Sequence, residues 1–286
     1  MRLARRRALV TVAAAGLAGF GTLASAAVAE PEPERDVAFA FTDPAIHESS
    51  GLVARDGLVV TVNDSGDGNR IFTVDPATGD TVGTTTWAGD ARDIEALAPA
   101  GAGEVWVGDI GDNAALRDTV QVSRVPFQRG DADADAVTHE LVYPDGAHDA
   151  ETLLAHPQTG QLFVVVKEFR GRVYAAPEDL GDGVNELVRG DDVLGLATDG
   201  AFFPDGRHLV LRNYGQAAVY TWPDLDRIAM LTRLVGKGAH ADNGPEDLLA
   251  PGVALERHVD QHGRLDEVAG VETARPLAAG RDDGAV

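Results

Sequence analysis

The sequence contains no cysteine, and only two of its 286 residues are lysine, Lys167 and Lys237. No disulfide can therefore stabilise the fold, so a hydrophobic core has to do this alone. The chain is long enough for such a core, and its hydrophobic content of 44% is ordinary for a globular domain. Arginine supplies nearly all of the positive charge.

Long apolar runs and helical periodicity are both missing beyond the first 30 residues. No segment after residue 28 is apolar enough to span a bilayer, so we expect no stable membrane span once the N-terminal segment is removed. The lack of long segments with a 3.6-residue period argues against alternating strands and helices around a parallel sheet. The remaining class is an all-β protein.

The N-terminus has the pattern of an export signal. Arg2 and residues 5–7 form a basic region, an apolar stretch covers residues 8–28, and Ala27 and Ala29 frame a cleavage site before Glu30. Residues 24–26 offer an alternative site. A membrane anchor is the competing interpretation, but the Ala and Gly content of the stretch favours cleavage. We predict a secreted or cell-envelope protein with a signal peptide at 1–29, a linker at 30–36, a folded domain at 37–277 and a disordered tail at 278–286.

The charge balance is strongly acidic, with 46 Asp and Glu against 24 Lys and Arg, a net charge of −22. Removal of residues 1–29 takes away four arginines and no acid. Nucleic acid and anionic membranes would repel such a chain, so we expect neither as a partner. The charge would attract cations, although solubility alone is a sufficient reason for it.

Short strands with turns between them account for the rest of the sequence. Four apolar runs are rich in β-branched residues, aromatics or leucine, and each lies close to Gly, Asp or Pro. Segments such as 76–79, 157–160 and 204–206 combine Pro and Gly as turns do. The four runs cover residues 58–62, 105–107, 162–166 and 209–211.

An internal repeat is the strongest pattern in the sequence. Each unit begins with an acid and continues with a short strand, a turn and an apolar strand, and the spacings between the opening acids are 47, 56, 48 and 47 residues. A period near 50 matches one four-stranded blade, so we predict a β-propeller of about five blades, or six, with a degenerate last blade. A strand at 37–41 is expected to complete the last blade and close the ring. The opening acids are Glu48, Glu95, Glu151, Asp199 and Glu246.

Residues 40–225 resemble bacterial exported propellers related to the esterase-like, phytase-like domain family. The matching stretches are 48–52, 62–67, 93–97, 107–113 and 143–151. This resemblance implies a propeller fold but no particular substrate. The chain is more distantly similar to calcium-dependent propeller phytases, through residues 42–46. The dense site of basic and acidic residues that those enzymes use for phosphate is not evident in this sequence.

Acids at equivalent positions of successive blades would meet near the propeller axis. Several carboxylates in one place repel each other, so they have to bind a cation, pair with a base or take up protons. Oxygen ligands in a flexible ring suit Ca²⁺, which is the predicted cofactor. The alternative is that the Asp-Gly motifs are turns and the Glu residues are paired locally. The predicted metal ligands are Glu48, Asp64, Glu95, Asp109 and Glu151.

Lys167 takes the place of Asp64 and Asp109 in its own repeat, in a chain with almost no lysine. A cation among carboxylates is stabilised by them and can hold an anionic ligand, with Arg212 of the fourth repeat as its partner. A structural ion pair with Glu151 or Glu168 is the competing interpretation. The predicted ligand-binding residues are Lys167, Arg212, Asp112 and Asn113.

Two classes of function follow from these residues. The first is an exported, monomeric binding or scaffold propeller for a small molecule or extracellular ligand, with Ca²⁺ in an acidic central site. The second is a metal-dependent hydrolase of phosphate or carboxyl esters, in which Lys167 holds the anion. Propellers host both classes, so the fold cannot decide between them. We favour binding because the sequence offers no clear pair of nucleophile and base.

Overall fold

The computed structural model describes residues 38–64 and 66–232. All regular structure in these ranges is β-strand, in four sheets of four or five strands each. The same ranges contain no helix that is long and apolar enough to cross a membrane. The predicted all-β class is therefore confirmed.

Each sheet is one blade, and its first strand is the innermost one. Blade 1 contains β1 (Ser49–Arg55), β2 (Leu58–Asn63), β3 (Arg70–Val74) and β4 (Thr81–Trp87). Blade 2 contains β5 (Ile94–Gly101), β6 (Glu104–Asp109), β7 (Val120–Pro126) and, after an additional strand β8 (Ala132–Ala134), β9 (Val137–Val142). Blade 3 contains β10 (Ala150–Ala155), β11 (Leu162–Val166), β12 (Gly171–Ala175) and, after the additional strand β13 (Asn185–Glu186), β14 (Val188–Val193). Blade 4 contains β15 (Asp199–Phe202), β16 (His208–Arg212), β17 (Gln216–Thr221) and β18 (Arg227–Thr232).

The two additional strands extend the preceding blade at its outer edge. β8 pairs in parallel with β4 of blade 1, and β13 pairs in parallel with β9 of blade 2. In both cases the chain leaves its own blade after the third strand and returns to form the fourth. The two excursions cover sheet edges that would otherwise be free to pair with another chain.

The four apolar runs predicted from the sequence are the second strands of the four blades, β2, β6, β11 and β16. Every residue of β11 is buried, as expected for a strand with another sheet on each face. Gly79, Gly160 and Gly206 end the predicted turns with positive φ, a conformation that glycine adopts at little cost. The strand and turn predictions are confirmed at these positions.

Apolar side chains fill the interfaces between consecutive blades. Val60 and Ile71 of blade 1 share a buried cluster with Leu97 and Val107 of blade 2. Equivalent clusters join Leu141 to Leu153 between blades 2 and 3, and Phe163 to Leu209 between blades 3 and 4. The innermost strands pack side by side in the order β1, β5, β10 and β15. This succession of radially packed sheets is a β-propeller.

A glycine allows two innermost strands to approach each other closely. A Cβ atom at Gly51 of β1 would lie 2.5 Å from the backbone nitrogen of Leu97 in β5 and 2.8 Å from the carbonyl carbon of Ala96. Both are backbone atoms that cannot rotate away. The start of β1 is therefore held directly against β5, which brings the acids of the first two repeats together.

Two details differ from the sequence prediction. The described residues form four blades rather than five. The predicted fifth unit, which begins at Glu246, lies outside the described residues, and so do Lys237, the signal peptide, the linker and the tail. Residues 38–41 are not a strand of the last blade. Phe39 and Phe41 instead pack on Val59, Phe72 and Val74 of blade 1, because this apolar face has no preceding blade within the described residues to cover it.

Candidate functional site

Irregular strand pairing places acidic side chains at the start of the innermost strands. The register between β5 and β6 shifts between Ile94 and Ala96, and that between β10 and β11 shifts between Ala150 and Thr152. The extra residues at these bulges are Glu95 and Glu151. Bulges bend the strand and redirect a side chain, and they are frequent beside functional sites.

Three carboxylates from blades 1 and 2 converge to form what we call the acidic centre: Asp64, Asp93 and Glu95. One oxygen atom from each lies within 4.8 Å of the others. Asp64 follows β2, Asp93 directly precedes β5, and Glu95 lies in the β5 bulge. The Ser50 hydroxyl of blade 1 donates a hydrogen bond to Oε2 of Glu95 at 3.0 Å and thereby helps to fix this carboxyl group.

Burial and mutual repulsion favour the protonated form of these acids. Glu95 is only 3% exposed, and burial, reinforced by the charges of Glu151 and Asp64, raises its pKa from 4.5 to about 9. Burial also raises the pKa of Asp93, with further contributions from Asp64 and Asp149. At neutral pH the acidic centre therefore holds a proton that a metal ion or another cation can displace.

Lys167 provides a built-in cation next to the acidic centre. Its ammonium group forms an ion pair with Glu151 and lies 5.7 Å from the centroid of the Tyr214 ring. Burial alone would lower the pKa of Lys167, but the hydrogen bonds to Glu151 and Tyr214, together with the charges of both groups, outweigh burial and raise it above its ordinary value. Of the two interpretations of Lys167, the structure shows the ion pair with Glu151.

The strand register aligns the repeats differently from the sequence alone. The Asp64 amide donates to the Glu48 carbonyl, and the Lys167 amide donates to the Asp149 carbonyl, both at 2.8 Å. Glu48 is therefore equivalent to Asp149, and Lys167 is equivalent to Asp64, as predicted. Asp109 corresponds to the residue before Asp64, because it closes β6 opposite Ile94 as Asn63 closes β2 opposite Ser49.

Among the predicted metal ligands, only Asp64 and Glu95 belong to the acidic centre. Glu151 lies close enough for its charge to raise the pKa of Glu95. The Glu48 side chain is exposed to solvent. Asp109 is engaged elsewhere: one oxygen lies 2.8 Å from the Arg117 guanidinium, and the carboxylate accepts the backbone amides of Arg92 and Asp93. These bonds fix the loop that carries Asp93.

The predicted ligand-binding residues do not form one group. Asp112 accepts the amides of Leu116 and Arg117, and so shapes the loop after β6, in which Asn113 is exposed. Arg212 of blade 4 lies 3.8 Å from the buried carboxylate of Asp199, and burial raises the pKa of Asp199 to about 7. Within the described residues, Lys167 and Arg212 are thus each paired with an acid of their own blade.

Two acids close to the candidate site were missed by the sequence-based selection. Asp93 is a member of the acidic centre, and Asp149 accepts the Asp112 amide at 2.8 Å while its charge acts on Asp93. The signal that identifies them is a repeated Asp-x-Glu pattern, present at 93–95 and again at 149–151. The first acid of each pattern directly precedes the innermost strand, and the second lies in its bulge.

No protein-family model matches the chain, and no curated protein matches it. Its structure is similar to the β-propeller domain of Cps50 (Swd1) from Myceliophteria thermophila, with 10% sequence identity and a TM-score of 0.41. The match covers 66% of this chain and 60% of that one, which is less than two thirds of its length. The relation to the esterase-like, phytase-like family remains a prediction from sequence. The four packed sheets themselves define the chain as a β-propeller.

Proposed function

We propose that this protein is an exported, monomeric β-propeller that acts by binding, and that the acidic centre takes up Ca²⁺. The observation that carries this proposal is the convergence of three carboxylates within 4.8 Å. Oxygen ligands lie 2.3–2.6 Å from Ca²⁺, so any two of them are at most about 5 Å apart. Asp64, Asp93 and Glu95 meet that limit, and carboxylate oxygens are the ligands that hard divalent cations prefer.

The metal would offset the mutual repulsion of these carboxylates, which raises the pKa of Asp93 and of Glu95. Glu95 is buried among acids, so binding a divalent ion replaces the proton that this carboxyl otherwise retains. The hydrolase alternative has less support, because the ammonium group proposed to hold an anionic substrate is already engaged by Glu151. A panel of phosphate and carboxyl ester substrates tests that alternative directly.

Calcium should raise the melting temperature, and this effect should depend on the acidic centre. A ligand that binds only the folded state stabilises it by about 2.7 kcal/mol at a concentration one hundred times Kd. For a domain of this size, the corresponding rise is about 5–10 °C. The measurement is a thermal melt of the wild type, Glu95→Gln and Asp93→Asn, each with EDTA and with Ca²⁺.

The matched control is Asp118→Asn, which removes an exposed carboxylate from the loop after β6, at the same end of the propeller. This variant should keep the full calcium response, whereas Glu95→Gln and Asp93→Asn should lose most of it. A wild-type melt that does not respond to Ca²⁺ would contradict the proposed metal site. An equal response in all four proteins would place the calcium elsewhere.

Replacing Lys167 should strengthen calcium binding. Lys167→Met removes the counter-ion of Glu151 and so makes the surroundings of the acidic centre more negative. We expect the Kd for Ca²⁺, measured by isothermal titration, to fall several-fold, with lower stability in EDTA because Glu151 is left without its partner. The control is Arg170→Met. Arg170 lies in the same loop as Lys167 but is 76% exposed, so its replacement should leave the Kd nearly unchanged. A weaker affinity in Lys167→Met would assign the lysine to ligand binding instead.

A further inference from the structure

Three loops at the end of the propeller that contains the acidic centre each expose one large apolar side chain. They follow the second strands of blades 2, 3 and 4, and the side chains, which we call the apolar tips, are Leu116, Phe169 and Tyr214. Their exposed fractions are 81%, 96% and 50%. Each second strand ends opposite the start of its innermost strand, so these loops lie at the end of the propeller where Glu95 and Glu151 are found.

Phe169 and Leu116 gain little from burial because they are 96% and 81% exposed, whereas Tyr214 is half exposed and also contacts the Lys167 ammonium group. The loops that carry them are held by other contacts. The Leu116 amide donates to Asp112, and the carbonyl of Phe169 is so close to Gly195 that a Cβ there would lie 2.1 Å from it. Asn213 accepts the amides of Gly215 and Gln216 beside Tyr214. Ordered loops that present aromatic side chains are typical of binding surfaces, because little entropy is lost on association.

The charge around the apolar tips identifies the kind of partner. Glu48 and Asp118 are exposed at this end of the propeller, and the Glu168 side chain next to Phe169 is 42% exposed, with one oxygen in contact with His148. The exposed arginine beside Phe169, Arg170, lies 3.4 Å from Asp192 and is thereby partly neutralised. The whole chain carries a net charge of −22. A partner that packs on the apolar tips therefore has to bring positive charge, which disfavours an anionic lipid surface.

We infer that this end of the propeller docks a polypeptide segment in which Lys or Arg side chains alternate with apolar ones. The apolar side chains pack on Phe169, Tyr214 and Leu116, while the cationic side chains pair with the exposed carboxylates at the same end of the propeller. This inference rests on the proposed binding function and names the class of its partner. It uses carboxylates outside the acidic centre, so it is compatible with Ca²⁺ bound there.

The test uses a fluorescein-labelled octapeptide of sequence Gly-Lys-Phe-Lys-Leu-Lys-Phe-Gly, titrated with the protein and followed by fluorescence anisotropy. We expect saturable binding to the wild type that weakens with salt, and about tenfold weaker binding to Phe169→Ser and to Tyr214→Ser. Val137→Ser is the matched control, because Val137 is 58% exposed but pairs with Arg124 near the opposite end of blade 2. The same peptide with Glu in place of Lys should not bind.

The inference is overturned if Phe169→Ser and Tyr214→Ser bind the lysine peptide as tightly as Val137→Ser does. It is also overturned if only phosphatidylcholine vesicles, and not the peptide, bind in a Phe169-dependent way. Phe169→Ser changes a side chain that is 96% exposed, so its melting curve should match the wild type and its response to Ca²⁺ should be complete. If the wild type responds to Ca²⁺ but does not bind the peptide, this inference is rejected and the proposed metal site is unaffected.

Discussion

Replacing Arg117 with methionine should destabilise the fold by about 3–5 kcal/mol, the usual cost of leaving a buried ion without its partner. Arg117 Nη1 lies 2.8 Å from Asp109 Oδ1, and both side chains are only 9% exposed. The same nitrogen donates to the Gly111 carbonyl at 2.9 Å, so the substitution also removes a hydrogen bond that holds the loop after β6. Methionine keeps much of the apolar stem, so the loss reports the charge. The measurement is the free energy of unfolding in urea.

An exposed ion pair in the same blade provides the control. Arg124 pairs with Glu104, and their side chains are 46% and 33% exposed. Arg124→Met should therefore cost no more than about 1 kcal/mol. Adding Asp109→Asn to Arg117→Met should recover part of the loss, since it removes the unpaired charge. If Arg117→Met and Arg124→Met had the same free energy of unfolding, burial would not increase the contribution of the Arg117–Asp109 pair to stability.

The strands and turns could be predicted because local residue types determine them. A run such as residues 162–166 consists of leucine, phenylalanine and three valines and lies between a Pro-Gly turn and charged residues, so few other structures suit it. The repeat then indicates blades, since one four-stranded sheet cannot bury both faces by itself. The outer strands β8 and β13 could not be found in this way. They are two or three residues long, and they depend on a blade that lies earlier in the chain.

The candidate site could be predicted only in part, for a reason of register. The sequence alignment matched Glu48 with Glu95, but Ile94 pairs with Asp109 as Ser49 pairs with Asn63, so the structure matches Glu48 with the residue two positions earlier, Asp93. This error of two residues exchanges a side chain in the bulge for one that precedes the strand, so a small error in alignment moves a ligand out of the site. Asp109 was misplaced for a different reason, since its partner Arg117 comes from a loop whose path the sequence does not determine.

The unfolding free energy measured in EDTA should fall as the pH rises from 5 to 8, and Glu95 should cause much of this fall. Burial raises the pKa of Glu95 from 4.5 in the unfolded chain to about 9 in the fold. Below pH 4.5 both states hold the proton, so the contribution of Glu95 to stability is fully present. Between 4.5 and 9 only the folded state holds it, and each pH unit costs about 1.4 kcal/mol. Asp93, whose pKa is also raised, acts in the same direction.

Glu95→Gln should therefore gain stability relative to the wild type by about 4 kcal/mol between pH 5 and pH 8. The glutamine cannot ionise but keeps the shape of the side chain and its ability to accept the Ser50 hydrogen bond. Urea unfolding of both proteins at four pH values gives the difference.

The control is Glu104→Gln, which changes an exposed glutamate that pairs with Arg124. Its curve should run parallel to that of the wild type. Saturating Ca²⁺ should flatten the wild-type curve but leave that of Glu95→Gln unchanged, because the metal displaces the Glu95 proton. Parallel curves for the wild type and Glu95→Gln in EDTA would mean that Glu95 ionises freely in the fold, and the acidic centre would then hold no proton for a cation to displace.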